Sequence, residues 1–134
     1  MADIEQLRRK FDESPCAMFL GMKLEELSEG YAKVKLELRE EFLNWDNMIH
    51  GGIIATLLDQ AFGCACNTMD NIHVAIQMNI HFLSAAPVGE TIYAESRIIR
   101  AGKRVGASEM TVSDSEGKVI ARASGATVSM GPRA

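Results

Sequence analysis

The chain has 134 residues, enough for one domain that buries roughly two-thirds of the surface its unfolded form would expose, so folding requires neither a disulfide nor a metal. Hydrophobic residues make up 47% and charged residues 24%, with a mean hydropathy of −0.01, which excludes a disordered or collagen-like chain. The net charge is −4 and no basic run is longer than Arg8-Arg9-Lys10, which excludes a nucleic-acid footprint.

Ile4, Leu7 and Phe11 recur at helical spacing with Arg and Lys between them, so residues 3–13 predict a short amphipathic helix that Ser14-Pro15 interrupts. Residues 16–27 predict a turn of helix leading into a first strand, broken at Gly30. Residues 31–40 then alternate, Ala32, Val34, Leu36 and Leu38 against Lys33, Lys35, Glu37 and Arg39, as in a strand with one wet face. After a polar loop, residues 51–67 predict a helix of about 25 Å, apolar on most sides and needing cover nearly all round. Residues 73–83 alternate again, with Val74, Ile76, Met78, Ile80 and Phe82 on one side and Ala75, Gln77, Asn79 and His81 on the other. Three long strands follow as a meander, turning at Ala101-Gly102 and at residues 115–118.

Six strands and one long helix, with no repeat or linker, predict a single α+β domain over residues 1–134. Its antiparallel sheet curves strongly around the helix, because that is the economical way to cover it. Cys16, Cys64 and Cys66 are odd in number, and the close pair lies about 200° apart on the helix, so it cannot chelate one metal. They read as small buried hydrophobes in a reducing compartment, and with no apolar leader and no run of 18 apolar residues, a cytoplasmic protein without a membrane anchor is expected. His73 and His81 would stand about 26 Å apart on their strand, and no His-Glu-x-x-His or Cys-x-x-Cys pair occurs, so no metal is expected. Serine-hydrolase, P-loop and dinucleotide fingerprints are also lacking.

The chemistry concentrates in residues 44–63, "NWDNMIHGGIIATLLDQAFG". A helix beginning at Gly51 presents unpaired N–H groups at the positive end of its dipole, and Gly51 and Gly52 lack a Cβ, so a ligand can come close. Asn44 and His50 add side-chain donors at the same helix end. Asp59 lies nine residues beyond His50, roughly 13 Å along the axis and about 180° around it. One chain cannot bring the two together, whereas a two-fold dimer with antiparallel helices can. Thr56, Asp59, Gln60, Gly63 and Asn67 form a polar and small-residue stripe suited to that approach.

These residues resemble the signature of hotdog-fold acyl-CoA thioesterases of the phenylacetate-pathway type: an Asn, a His-Gly-Gly six residues on, and an Asp nine residues after the His. The resemblance extends over residues 78–105 and 114–127. It implies a homodimer, or a dimer of dimers, that hydrolyses an acyl-CoA thioester to the carboxylic acid and free CoA without a cofactor. In that scheme Asp59 is the nucleophile or the general base on water, Gly51 N–H is the oxyanion donor, and Asn44 and His50 position groups around the sulfur and the water. Substrate contacts are implied at Gly52, Ala75 and Gln77, and at the basic residues Arg97, Arg100, Lys103 and Arg104, which taken alone read as a solvated strand face. Met48, Leu57, Leu58 and Phe62 either line an acyl pocket or are core.

The sequence departs from the family at two positions. Many relatives carry Ser or Thr at Ala75, where the hydroxyl holds the attacking water, and often an acidic residue at Gln77. The departure keeps a second reading open, a non-hydrolysing acyl-CoA binding module. A hotdog dehydratase is disfavoured, because the His and acidic pattern such enzymes use is not found here.

Overall fold

The computed structural model of the chain describes residues 3–133. In order these form α1 (Ile4–Asp12), α2 (Pro15–Leu20), β1 (Lys23–Ser28), β2 (Tyr31–Glu37), a 3-10 turn (Glu40–Phe42), α3 (Gly51–Cys66), β3 (Asn71–Phe82), β4 (Thr91–Ala101), β5 (Val105–Asp114) and β6 (Val119–Pro132). The strands make one antiparallel sheet in the order β1-β2-β4-β5-β6-β3. Asp3 caps α1 by accepting the N–H of Glu5 and Gln6, and Pro15 opens α2 at the position where its missing N–H costs nothing.

α3 touches all six strands, so the sheet wraps it. Leu57, Leu58, Ala61, Phe62 and Ala65 of α3 are completely buried and meet Ala32, Val34 and Leu36 of β2, Ile92 and Ala94 of β4, and Val112 of β5. The alternation read in residues 31–38 is therefore the alternation between core and solvent. Gly125 of β6 shows how tightly the helix is seated. A Cβ there would stand 2.6 Å from the Phe62 ring and 3.1 Å from the Gln77 carbonyl. Gly125→Ala is accordingly expected to lower the unfolding free energy by about 1–3 kcal/mol, read by urea denaturation, because the ring has nowhere to move in a close-packed interior.

Two expectations need correction. β3 is not half-buried along one side: Met78 and Ile80 are partly covered, but Val74 is 43% exposed, Ile76 60% and Phe82 54%. The reason is position, because β3 is the sheet's outer strand beyond β6, and its register slips between Asn71 and His73 and again between Ala75 and Gln77. Cys64 and Cys66 are buried as expected, but Cys16 on α2 is exposed. No helix among the described residues is long and apolar enough to cross a membrane.

Candidate active site

The start of α3 is built by the loop before it. Asn44 accepts the N–H groups of Asp46 (2.9 Å) and Met48 (3.1 Å) on Oδ1, and its own N–H donates to the Met48 carbonyl at 2.7 Å. This closes a tight turn in which Asn47 takes a left-handed conformation (φ 57°), and it brings the chain back so that His50 N–H donates to the Phe42 carbonyl at 2.8 Å. His50 is then the N-cap, in extended backbone, and its Nδ1 accepts the Gly52 N–H at 2.8 Å. A neutral His50 ring therefore carries its proton on Nε2.

Each glycine of His-Gly-Gly has a separate physical reason. A Cβ on Gly52 would lie 3.0 Å from His50 Nδ1, so glycine is what lets the imidazole fold back over the helix end. Gly52, expected to approach a ligand, gives its N–H to that ring instead. Gly51 keeps its N–H: among the described residues no acceptor takes it. Beside it stands the Phe82 ring, 3.4 Å from where a Gly51 Cβ would be. Gly51 opens into a cleft of about 660 Å³ whose walls are largely apolar, Met48, Ile54, Phe82 and Val88 among them. Leu57, Leu58 and Phe62 are core and do not line it; Met48 does.

Asp59 belongs to another cleft, of about 500 Å³, shared with Gln60, Gly63, Asn67, Val74 and Ala75. It is exposed and makes no hydrogen bond or ion pair with any described residue. Partial desolvation by its apolar neighbours raises its pKa above the ordinary carboxylate value. Ala75 brings no hydroxyl to this cleft, and Ser14 at its rim donates its own to the Phe11 carbonyl at 2.8 Å. Cys64 also lines it, but burial, with a smaller effect from Asp12, pushes that thiol up to about 12, so it stays protonated and is no nucleophile at neutral pH.

The clasp that sets this second cleft was not read from the sequence. Asn67 donates to the carbonyls of Gly63 (2.9 Å) and His73 (3.2 Å) and accepts His73 N–H at 3.1 Å. Arg133 then donates to the carbonyls of Asn67 (2.8 Å), Met69 (3.3 Å) and Asn71 (3.3 Å). A cation thus binds the C-cap carbonyl of α3 and two carbonyls of the segment that follows, and so pins the start of β3 beside Asp59. A polar residue just past the helix end was the one available signal.

The structure therefore gathers His50, Gly51 and Gly52 at one end of α3 and Asp59 with Ala75 further along it, about 12 Å apart on the axis. Gln77 follows the bulge after Ala75 and is exposed. The basic residues divide. Arg97 lies on the sheet's outer face, stacked 4.6 Å from the centre of the Tyr31 ring. Lys103 and Arg104 are exposed in the β4–β5 turn, and the Arg104 carbonyl accepts Ser129 N–H, opposite His73. They occupy the sheet end that carries the Asp59 cleft.

The model of the thioesterase superfamily matches residues 46–121, a span that contains His50, Gly51, Asp59 and Ala75. A protein of Archaeoglobus fulgidus provisionally assigned as an esterase is 39% identical over 106 residues, covering 79% of this chain and 69% of the relative. The acyl-coenzyme A thioesterase PaaI of Escherichia coli is 30% identical over 111 residues, covering 83% and 79%. The solved structure of the E. coli PaaI protein, from the phenylacetic acid degradation operon, has a TM-score of 0.91 at 28% identity, covering 96% of this chain and 94% of that one. A Streptococcus mutans protein solved bound to acetyl CoA gives 0.81 at 25% identity, with 84% and 91% covered. With its long helix α3 wrapped by six antiparallel strands and its His-Gly-Gly turn at the start of that helix, the chain belongs to the thioesterase superfamily, as a PaaI-like hotdog protein.

Proposed function

We propose that the protein is an acyl-CoA thioesterase that works as a homodimer with two composite sites. The observation that carries the reading is the division of the machinery along α3: at one end a Gly51 N–H and further on a partly desolvated Asp59, both without a partner among the described residues, and an exposed apolar β3 edge running beside both. Antiparallel pairing of two β3 edges brings the start of one strand to the end of the other, and so sets Asp59 of one protomer facing Gly51 of its partner. The bond count closes with water alone. Gly51 N–H polarises the thioester carbonyl, and Asp59 takes a proton from water as its oxygen bonds to the carbonyl carbon. The oxyanion then collapses, the C–S bond breaks, and the thiolate takes up the proton. His50 Nε2–H and the Asn44 amide are the donors near the leaving sulfur. Lys103 and Arg104 are proposed to meet the CoA phosphates, with Arg97 set apart from them by its stacking on Tyr31. The fold, one hotdog domain, needs no cofactor for this chemistry.

The test is complementation. Asp59→Asn and Gly51→Pro protomers, each inactive as a homodimer, are refolded together in equal amounts and assayed for thiol release from acyl-CoA esters. A composite site restores about a quarter of wild-type turnover, because half of the dimers are mixed and each mixed dimer holds one intact site. No restoration, with mixed dimers demonstrated, overturns the composite arrangement. The second reading, a binding module, is favoured by Ala75: β3 brings no hydroxyl to the Asp59 cleft, and the Ser14 hydroxyl at its rim is committed to the Phe11 carbonyl. Tight binding of CoA esters with no thiol release from any of them would establish it.

A further inference from the structure

We infer that the acyl group taken by this site is an unsubstituted hydrocarbon of at least medium length, held in the cleft between the 44–49 loop and the 82–88 loop. The inference rests on the thioesterase reading for its orientation. A thioester carbonyl bonded to Gly51 N–H has its acyl side and its CoA side pointing apart. The CoA side carries amides and phosphates, which lose far more on leaving water than a hydrocarbon does. The apolar cleft beside Gly51 therefore receives the acyl side.

What the cleft lacks decides the substituents. Among the described residues of one chain no charged side chain lines it, and the carboxylate that the proposed dimer brings to its Gly51 end is negative and so repels an acyl carboxylate. Its two polar side chains are Asn47 and Ser84; Asn47 is exposed at the rim, and the Ser84 hydroxyl donates to the Val119 carbonyl at 2.9 Å. A terminal carboxylate or an internal hydroxyl on the acyl group would thus enter without a committed donor or a cation. The walls it would meet are side chains such as Leu43, Met48, Ile54, Phe82, Leu83 and Val88. A volume of about 660 Å³ lies within the range of small-molecule sites, so a short acyl group leaves most of it unfilled.

The cleft is also held open by its own hydrogen bonds. Leu83 and Ser84 both donate their N–H to the Ile120 carbonyl (2.8 and 3.1 Å), and Gly89 N–H donates to the Leu38 carbonyl at 2.8 Å, so the 82–88 loop is tied to the sheet at both ends. Opposite, the Asn44 turn and the Leu43–Ile49 bridge fix the other wall. A concavity between two anchored loops suits an inserted chain better than the flat face of a second copy.

The experiment measures two quantities on the full chain. Binding of acetyl-, butyryl-, hexanoyl-, octanoyl- and decanoyl-CoA is followed by calorimetry on Asp59→Asn, and thiol release from the same esters on the wild type. Affinity and kcat/KM are expected to rise about fourfold per added methylene until the cleft is filled. Esters of the same length bearing a terminal carboxylate or a hydroxyl are expected to fall about a hundredfold or more. Val88→Trp, at a side chain already 40% exposed, is expected to lower the decanoyl-to-butyryl ratio about tenfold. A binding slope without thiol release leaves the cleft assignment standing and sinks the hydrolase. Thiol release with no length dependence, or with faster turnover of the carboxylated or hydroxylated esters, overturns the cleft assignment and leaves the hydrolase. Loss of dimerisation in Val88→Trp with an unchanged ratio assigns the cleft to a second copy and overturns the inference.

Discussion

Asp59→Asn is expected to lower kcat for thioester hydrolysis about a thousandfold with the oligomeric state unchanged, because it removes the proposed proton acceptor and keeps the side chain's shape. The pH profile gives an independent reading. Desolvation raises the Asp59 pKa in the folded chain, and in the proposed mechanism the ionised form is the base. Activity is thus present above that raised value and lost as pH falls through it, so the acidic limb of kcat/KM lies above the ordinary carboxylate range. Stability carries the opposite sign. A carboxyl whose folded pKa is raised is destabilising while ionised, and that penalty is relieved as pH falls through the folded pKa. Asp59→Asn should therefore melt no lower than the wild type at neutral pH. A mutant that keeps its turnover, or one that loses both activity and stability, would assign Asp59 to structure.

The second large effect needs a substitution that deletes one N–H and little else. Gly51→Pro does so, because Gly51 is the first residue of α3, where proline is well accommodated, and His50 before it already has the extended backbone (φ −61°, ψ 130°) that a following proline requires. The expected loss in kcat is about a hundredfold to a thousandfold, with the helix intact by circular dichroism. Gly51→Ala is the control. It introduces a Cβ at the same 3.4 Å from the exposed Phe82 ring yet keeps the N–H, so it isolates the hydrogen bond from the contact. Equal losses in both variants would assign the effect to Phe82 and dismiss the oxyanion role.

Much of the fold was legible because the periodicities are strong and local. The alternation of Ala32, Val34, Leu36 and Leu38 fixes a strand and its buried side, and the predicted helix over residues 51–67 ends at Cys66 with Asn67 as its C-cap. The same logic failed on β3. Its alternation is as clean as that of β2, yet Val74, Ile76 and Phe82 face solvent. A strand's period tells that two faces differ, not whether anything covers the apolar one, and that depends on the strand's place at the sheet edge.

At the candidate site, the residue types and spacings of Asn44, His50, Gly51, Gly52 and Asp59 were enough to indicate a donor-rich helix start and a carboxylate beyond its reach on the same helix. How each group is used came from tertiary contacts. The Gly52 N–H is held by His50, Asn44 Oδ1 closes a turn, and of the two glycine N–H groups only that of Gly51 has no acceptor among the described residues. The apolar cleft beside Gly51 takes one wall from residues 82–88, more than thirty positions along the chain, while Leu57, Leu58 and Phe62 beside the motif proved to be core. Arg133, at the far end of the sequence, closes the clasp that places Ala75 beside Asp59. The sequence by itself determined the α+β class, the long buried helix and the separation of His-Gly-Gly from Asp59, because these follow from spacing along one chain. The tertiary structure decided which donors stay free, which apolar residues line a cleft and which strand is left open at the edge, because hydrogen-bond partners and solvent cover are supplied by segments distant in sequence.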